Sequence, residues 1–251
     1  MMFLRSLLFN IYFVIGQAFF VFAMFLSIPF PQPVIQWIVK RWAGSLHLAM
    51  HWIAGIKFEV RGKEHIPEGA CVIAGKHQSA WDTFAFYLFL YDPNYVLKIE
   101  LTRIPMWGSC SKKAGAIAVD REAGASALKM LVREVKDRMT KGRQVIIFPE
   151  GTRTAPGTRL PYHPGIAAVY GAIEQPVIPV AINSGLFWGR RTFLRYPGTI
   201  TMEILPPMPK GLKRREFMAE LEQRIETATD RLMVESGRPL PVDNGGEQSA
   251  A

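Results

Sequence analysis

From Leu7 to Phe30 the chain reads LLFNIYFVIGQAFFVFAMFLSIPF without one charged residue. As a helix rising about 1.5 Å per residue, such a run reaches the thickness of a bilayer's hydrocarbon core. Asn10 and Gln17 are its polar interruptions, and Pro29, Pro31 and Pro33 close it. A secretory signal would have a shorter apolar centre and a small-residue cleavage site. A second segment, VIQWIVKRWAGSLHLAMHWIAG, follows at 34–55. Trp37, Trp42 and Trp52 suit a membrane interface, and Lys40 and Arg41 mark its edge. Residues 1–55 are therefore expected to form a helical pair that hairpins into a membrane or lies on it. The competing reading is two core helices of a soluble protein.

The pattern changes near residue 56. IKFEVRG alternates like a strand, and ACVIAG (70–75), YVLK (95–98), AIAV (116–119), QVIIF (144–148), PVIPVAI (176–182) and TITMEI (199–204) are further strand candidates. AWDTFAFYLFLY reads as a helix stopped at Pro93. Leu128, Leu131, Val132, Val135 and Met139 recur at helical spacing, with Gly142 placed as a C-cap. Residues 213–236 form a charged amphipathic helix. Strands alternating with helices predict one α/β domain over 56–241, with 242–251 as a loose tail.

The 251 residues carry a formal net charge of +9, which favours an anionic partner: nucleic acid, an anionic lipid surface or a phosphorylated substrate. RNP-like aromatic blocks and zinc-finger spacing are missing, which argues against nucleic acid. Nucleotide-cradling glycine motifs are also missing. Cys71 and Cys110 offer no disulfide framework, as suits a reducing compartment. His47, His51, His65 and His163 are dispersed, so no metal is expected.

Chemistry concentrates in two stretches. In KHQSAWDTFAFY (76–87), Ser79 and Asp82 have the spacing of a capping box, which is the structural reading of that aspartate. If the helix starts only at Ser79, the chain turns before it, and His77 can fold back on Asp82 with its other nitrogen free as a base. No serine or cysteine nucleophile accompanies the pair, so such a base would activate the substrate's own hydroxyl. In QVIIFPEGTRT (144–154), Pro149 and Gly151 force a turn at a strand end. Gly151 permits close backbone approach and Arg153 can grip a phosphate. Glu150 fixes the turn or touches substrate. A surface turn closed by a Glu–Arg pair is the plainer reading.

KHQSAWD, GAIAVDR (115–121), FPEGTRT and VIPVAI (177–182), with the spacer KIELTRIPMWG (98–108), resemble the ordered blocks of the glycerolipid acyltransferase family over residues 56–205. The resemblance implies a single α/β domain with a mixed sheet flanked by helices, preceded by a membrane-associated helical pair. It implies transfer of an acyl chain from acyl-CoA or acyl carrier protein to the 2-hydroxyl of lysophosphatidic acid, giving phosphatidic acid, without a cofactor. His77 is then the general base and Asp82 its orienting partner. Arg121, Glu150, Gly151, Thr152 and Arg153 form the phosphate site, and the Val177–Ile182 strand belongs to the acyl-side wall. Backbone amides at the Ser79 helix start or around Gly151 are candidates for the oxyanion. Two positions depart from the family: Lys76 stands where asparagine is common, and His163 in YHPG where a lysine is common. The basic groups Arg190, Arg191 and Arg195, and Lys210, Lys213, Arg214 and Arg215, are candidates for holding the domain on anionic membrane lipids. The expected location is the cell's inner (plasma) membrane, with the catalytic domain on the cytoplasmic side. The alternatives are an O-acyltransferase for a different lysolipid, a hydrolase, and a noncatalytic basic membrane-binding module.

Overall fold

The structure is a computed structural model that describes residues 1–240. The tail expected at 242–251 lies outside the described residues. Helices α1 (Met2–Leu26) and α2 (Gln32–Ala49) come first, and α2 runs into a wide turn at Met50–Ala54. Strands β1 (Ile56–Arg61) and β2 (Cys71–Gly75) follow, then α3 (Asp82–Ala85), β3 (Pro93–Lys98), α4 (Trp107–Lys113) and β4 (Ile117–Val119). The rest is α5 (Gly124–Thr140), β5 (Gln144–Ile147), α6 (Gly165–Tyr170), β6 (Val177–Ile182), β7 (Gly198–Ile204) and α7 (Arg214–Glu235).

The strands form one sheet in the order β1-β7-β6-β2-β5-β3-β4, parallel throughout except for the antiparallel β6–β7 pair. Its centre is β2, β5 and β6, every residue of which is buried. Their unbroken apolar runs are what a strand covered on both faces requires. One face packs on α5, α6 and α7 through Leu131, Val135, Ile166, Phe217 and Leu221. The other packs on Leu46, Trp81, Phe86 and Trp188. Because β2, β3, β4, β5 and β6 run in parallel, their C-terminal ends share one edge, where α/β sheets bring loops together.

The helical pair is docked on this body. Phe9 of α1 is fully buried and meets Trp188 edge-on, with ring centroids 5.1 Å apart. Of the two polar interruptions of the apolar run, Asn10 docks α1 on the body, donating to the Phe193 carbonyl at 2.9 Å, and Gln17 ties α1 to α2, accepting from the Trp42 indole at 3.1 Å. The opposite face of α1 exposes Leu8, Ile11, Ile15, Phe19 and Phe22. In α2, Ile35, Val39, Trp42 and Leu46 enter the core, whereas Val34, Trp37 and Leu48, with Trp52 in the turn that follows, stay outside. Trp42, expected at a membrane interface, is a core residue instead, and the second segment is apolar on two faces because it has two surfaces to cover.

The helix expected over AWDTFAFYLFLY is cut to α3 and a 3₁₀ turn at Phe86–Leu88. The Asp82 carboxylate accepts from the Gln78 and Ser79 amides, which holds 78–81 in a turn rather than a helix. Pro93 is the first residue of β3, a position where a strand tolerates proline. The helix around Leu128–Met139 is longer than its apolar stripe, and Gly142 follows it with φ +71°.

Candidate active site

His77 leaves the end of β2, and Asp82 opens α3 five residues later. Asp82 Oδ2 lies 3.0 Å from His77 Nδ1 and accepts from the Gln78 and Ser79 amides at 2.7 and 2.8 Å. Its Oδ1 accepts from the Ser184 hydroxyl at 2.6 Å. Four donors thus hold in place a carboxylate that is 1% exposed. The His77 ring stacks on Phe148, with centroids 4.0 Å apart and planes 13° from parallel. With Nδ1 engaged by Asp82, Nε2 is left for the cavity that His77 lines. Ser79 caps less than its spacing suggested: its Oγ accepts from the Trp81 amide, while the Asp82 half of the box forms.

Behind His77 lies a buried charge network. Lys76 Nζ donates to Glu150 Oε1 at 2.7 Å, to both oxygens of Glu226 at 2.8 and 3.0 Å, and to the Thr158 carbonyl at 3.3 Å. Tyr162 donates to Glu226 at 2.9 Å. The other oxygen of Glu150 accepts from the His77 amide at 3.3 Å. Thr154 donates to the His77 carbonyl through its amide at 2.8 Å and its hydroxyl at 3.1 Å. The in-register parallel pairing of β2 with β5 makes this latch possible, because it brings both following loops to one level. Glu150, expected at the phosphate, is therefore a positioning carboxylate turned away from the cavity. Its pKa is raised by burial, against the pull of Lys76.

The phosphate-site expectation for the arginines fits the geometry better. Gly151 adopts φ +68°, and a Cβ there would strike the Arg121 guanidinium, which lies flat against the turn. Arg121 arrives from the end of β4, and Arg153 from the FPEGTR turn itself. Arg121, Gly151, Thr152 and Arg153 line the same cavity as His77. Burial lowers the pKa of Arg121, opposed by Glu100. Burial lowers that of Arg153 too, with Arg190 adding to the effect. Lys98 and His163 complete this rim. His163 has its pKa lowered by burial and then by Arg121 and Lys98, so it is neutral at pH 7.

The cavity, of about 730 Å³, continues from this polar rim under the helical pair, where Phe13, Met24, Val39, Trp42, Phe84 and Tyr87 line it. One end is basic and the other apolar, with His77 between them. Such a space suits a molecule with a phosphate and a hydrocarbon chain. The Val177–Ile182 strand is not part of the wall. β6 is buried in the sheet centre, and its contribution is to deliver Ser184 to Asp82. The Gln78 and Ser79 amides are committed to Asp82 and the Gly151 amide to Phe148, which leaves, around Gly151, the Thr152 and Arg153 amides without a protein acceptor among the described residues. Arg195 is 7% exposed, donates to the carbonyls of Thr192, Phe193 and Leu194, and is no lipid contact. Sequence reasoning missed Thr154, Ser184 and Glu226, whose partners lie 77, 102 and 150 positions away. Among the described residues no cluster of three or more potential metal ligands occurs.

These features meet known proteins at several levels. A family profile described as Acyltransferase matches residues 57–183, which includes every catalytic and phosphate-site candidate. The chain is 38% identical to a 1-acyl-sn-glycerol-3-phosphate acyltransferase of Pseudomonas aeruginosa over 200 residues, 80% of this chain and 78% of that protein. It is 31% identical to the enzyme of that name from Limnanthes alba, covering 62% of this chain and 56% of the relative. Its fold matches the crystal structure of the 1-acyl-sn-glycerophosphate acyltransferase from Thermotoga maritima with a TM-score of 0.74, over 92% of this chain and 99% of that one, at 21% identity. The α/β fold is thus a shared architecture, and α1 is long and apolar enough to cross a membrane. A latched histidine–aspartate pair, arginines without a carboxylate partner among the described residues and a half-apolar cavity converge here with relatives that match along most of the chain, and the protein belongs to the 1-acyl-sn-glycerol-3-phosphate acyltransferase family, as an enzyme of acyl transfer.

Proposed function

We propose that the protein transfers an acyl chain from acyl-CoA or acyl carrier protein to the 2-hydroxyl of 1-acyl-sn-glycerol 3-phosphate, giving phosphatidic acid. The observation that carries this reading is the position of His77 between a basic rim and an apolar cavity. The acceptor's phosphate sits against Arg121 and Arg153, with Gly151 and Thr152 shaping the turn, and its chain runs towards the helical pair. This holds the free hydroxyl near Nε2 of His77, and proximity supplies much of the rate. His77 takes the hydroxyl proton as the oxygen bonds to the thioester carbonyl carbon. The tetrahedral intermediate collapses, the carbon–sulfur bond breaks, and the departing thiolate receives the proton from His77. Asp82 holds the tautomer and steadies the transient imidazolium. The Thr152 and Arg153 amides, which have no protein acceptor among the described residues, are the donors we assign to the oxyanion.

The exposed apolar faces of α1 and α2 settle into the interface of the inner membrane, with the catalytic domain of residues 56–241 on the cytoplasmic side. Docking of α1 along the body favours an interfacial helix over a free-standing span. Both substrate and product then exchange with lipid directly below the cavity.

The test is acyl transfer by membranes containing the protein, with labelled acyl-CoA and acyl carrier protein offered separately and a panel of lysolipid acceptors. Phosphatidic acid formed from the phosphate acceptor alone is the expected result. Product from another lysolipid alone would keep the chemistry and overturn the acceptor.

A further inference from the structure

Transfer joins two substrates, and both carry phosphate. The acceptor bears a phosphomonoester. In coenzyme A and in acyl carrier protein alike, the pantetheine arm that holds the thioester ends in a phosphate. The front of the site holds more positive charge than one phosphate requires. All six basic residues line the cavity in two groups: Arg121 and Lys98 act on His163, and Arg190 and Arg191 act on Arg153. None of the ion pairs among the described residues involves Arg121, Arg153, Arg190 or Arg191.

The second group is held in place by side-chain hydrogen bonds to backbone carbonyls. Arg190 donates to the Arg153 carbonyl at 3.3 Å, which ties the loop after Trp188 to the FPEGTR turn. Arg191 has φ +55°, a conformation that costs a non-glycine residue free energy and that collects at functional sites. Thr192 braces the turn through the Gly189 carbonyl at 3.1 Å. Buried Arg195 holds three successive carbonyls of the same loop and lies over Trp188, 5.0 Å from its ring centroid. A fixed, strained loop thus carries two exposed arginines to the cavity mouth beside a third, where their charges oppose one another until an anion arrives.

We propose that Arg190 and Arg191 form a second anion site, for the phosphate of the donor's phosphopantetheine arm. This rests on the acyl-transfer reading above. The arm enters over the 189–192 turn with its thioester pointing inward to His77, while the acceptor phosphate keeps to the Arg121 and Arg153 turn. The site recognises what coenzyme A and acyl carrier protein share, the phosphate, and not what distinguishes them.

The experiment compares the full-length wild type with the double variant Arg190→Gln/Arg191→Gln in mixed micelles, at fixed saturating acceptor and then at fixed saturating donor. The KM for acyl-CoA is expected to rise about tenfold or more, the loss of two charge-assisted contacts, while kcat and the acceptor KM change less than about twofold. Acyl carrier protein as donor is expected to show a similar rise. With the acyl thioester of N-acetylcysteamine, which has no phosphate, the gap between wild type and variant is expected to close. An unchanged donor KM with a raised acceptor KM would assign the loop to the acceptor. An unchanged donor KM with weaker sedimentation on phosphatidylglycerol vesicles would assign it to lipid headgroups. A gap that persists with the phosphate-free thioester would mean structural damage. Each of these overturns the proposal. A wild type that forms no phosphatidic acid from either donor would instead overturn the acyl-transfer reading beneath it.

Discussion

On the sheet side of His77, Asp82 accepts four hydrogen bonds and Lys76 divides three between two carboxylates; on the cavity side, Arg121, Arg153, Arg190 and Arg191 converge with no carboxylate in contact among the described residues. Both regions concentrate charge, yet they solve different problems. Charges withdrawn from water must be paired, since an unpaired buried ion costs several kcal/mol. The network behind His77 meets that condition, and what it gains is placement: β2, the FPEGTR turn and α7 are locked around one imidazole. The arginines in front repel one another and stay near water, an arrangement that costs stability until a ligand supplies the opposite charge. Pairing marks the part that holds still, and its absence marks the part that binds.

The largest effects should fall where the two regions meet. His77→Ala is expected to lower kcat by about 10²–10⁴, the usual contribution of a general base, with a small fall in melting temperature, since Asp82 keeps three of its four donors. Asp82→Ala should lose comparable activity and also melt earlier, because it orphans His77, two amides and Ser184 together. Near-normal turnover by purified His77→Ala would break the comparison at its centre.

The next contrast separates the regions by stability. Lys76→Met leaves Glu150 and Glu226 buried without their cation, which should cost about 3–5 kcal/mol and lower the melting temperature by on the order of 10 °C. Arg153→Ala should leave the melting temperature unchanged or slightly raised while weakening use of phosphate-bearing acceptors. Equal destabilisation by both, measured by thermal unfolding, would show that paired and unpaired charges are not doing separate jobs. Inorganic phosphate should sharpen the contrast further. At ten times its Kd it would stabilise the wild type by about 1.4 kcal/mol, and this gain should vanish in Arg121→Ala/Arg153→Ala.

Legibility in the sequence followed the same division. The cavity-side residues lie within short motifs: Arg153 is part of FPEGTR, and Gly151 carries its own signal as a glycine that a turn demands. Alternating strands and helices were enough for the α/β class. The apolar run pointed to a membrane surface, but its polar interruptions gave no hint that Asn10 docks α1 on the body and Gln17 ties it to α2. The supporting residues were hidden because the latch is long-range. Glu226 sits in a helix that reads as ordinary and charged, and only the fold brings it to Lys76. For Glu150 the motif left two roles open, fixing the turn or touching substrate, since a motif places a residue near a site without saying which way its side chain turns. Ser184 follows a buried strand that looked like a wall. Its role depends on β6 lying next to β2, a sheet order that periodicity cannot supply.

The smallest effect tests where on the cavity side the acceptor phosphate lies. His163 has its pKa depressed below the ordinary 6.5 by burial, then by Arg121 and Lys98. For a base, a depressed folded-state pKa means that the unfolded chain binds the proton more readily. Acidification through the ordinary value should therefore cost stability, and the cost disappears above it. At pH 7.5 the ring is neutral and adds nothing to the attraction of an anion. His163→Lys places a permanent charge there, so without ligand it should be slightly less stable at that pH. If the acceptor phosphate sits against Arg121, the same charge should lower the acceptor KM by about two- to threefold, within the range of a partly exposed ion pair. The donor KM should not move, since the donor's phosphate is assigned to Arg190 and Arg191. A lowered donor KM in this variant would exchange the two assignments, and an unchanged acceptor KM would move the acceptor phosphate away from Arg121 towards Arg153.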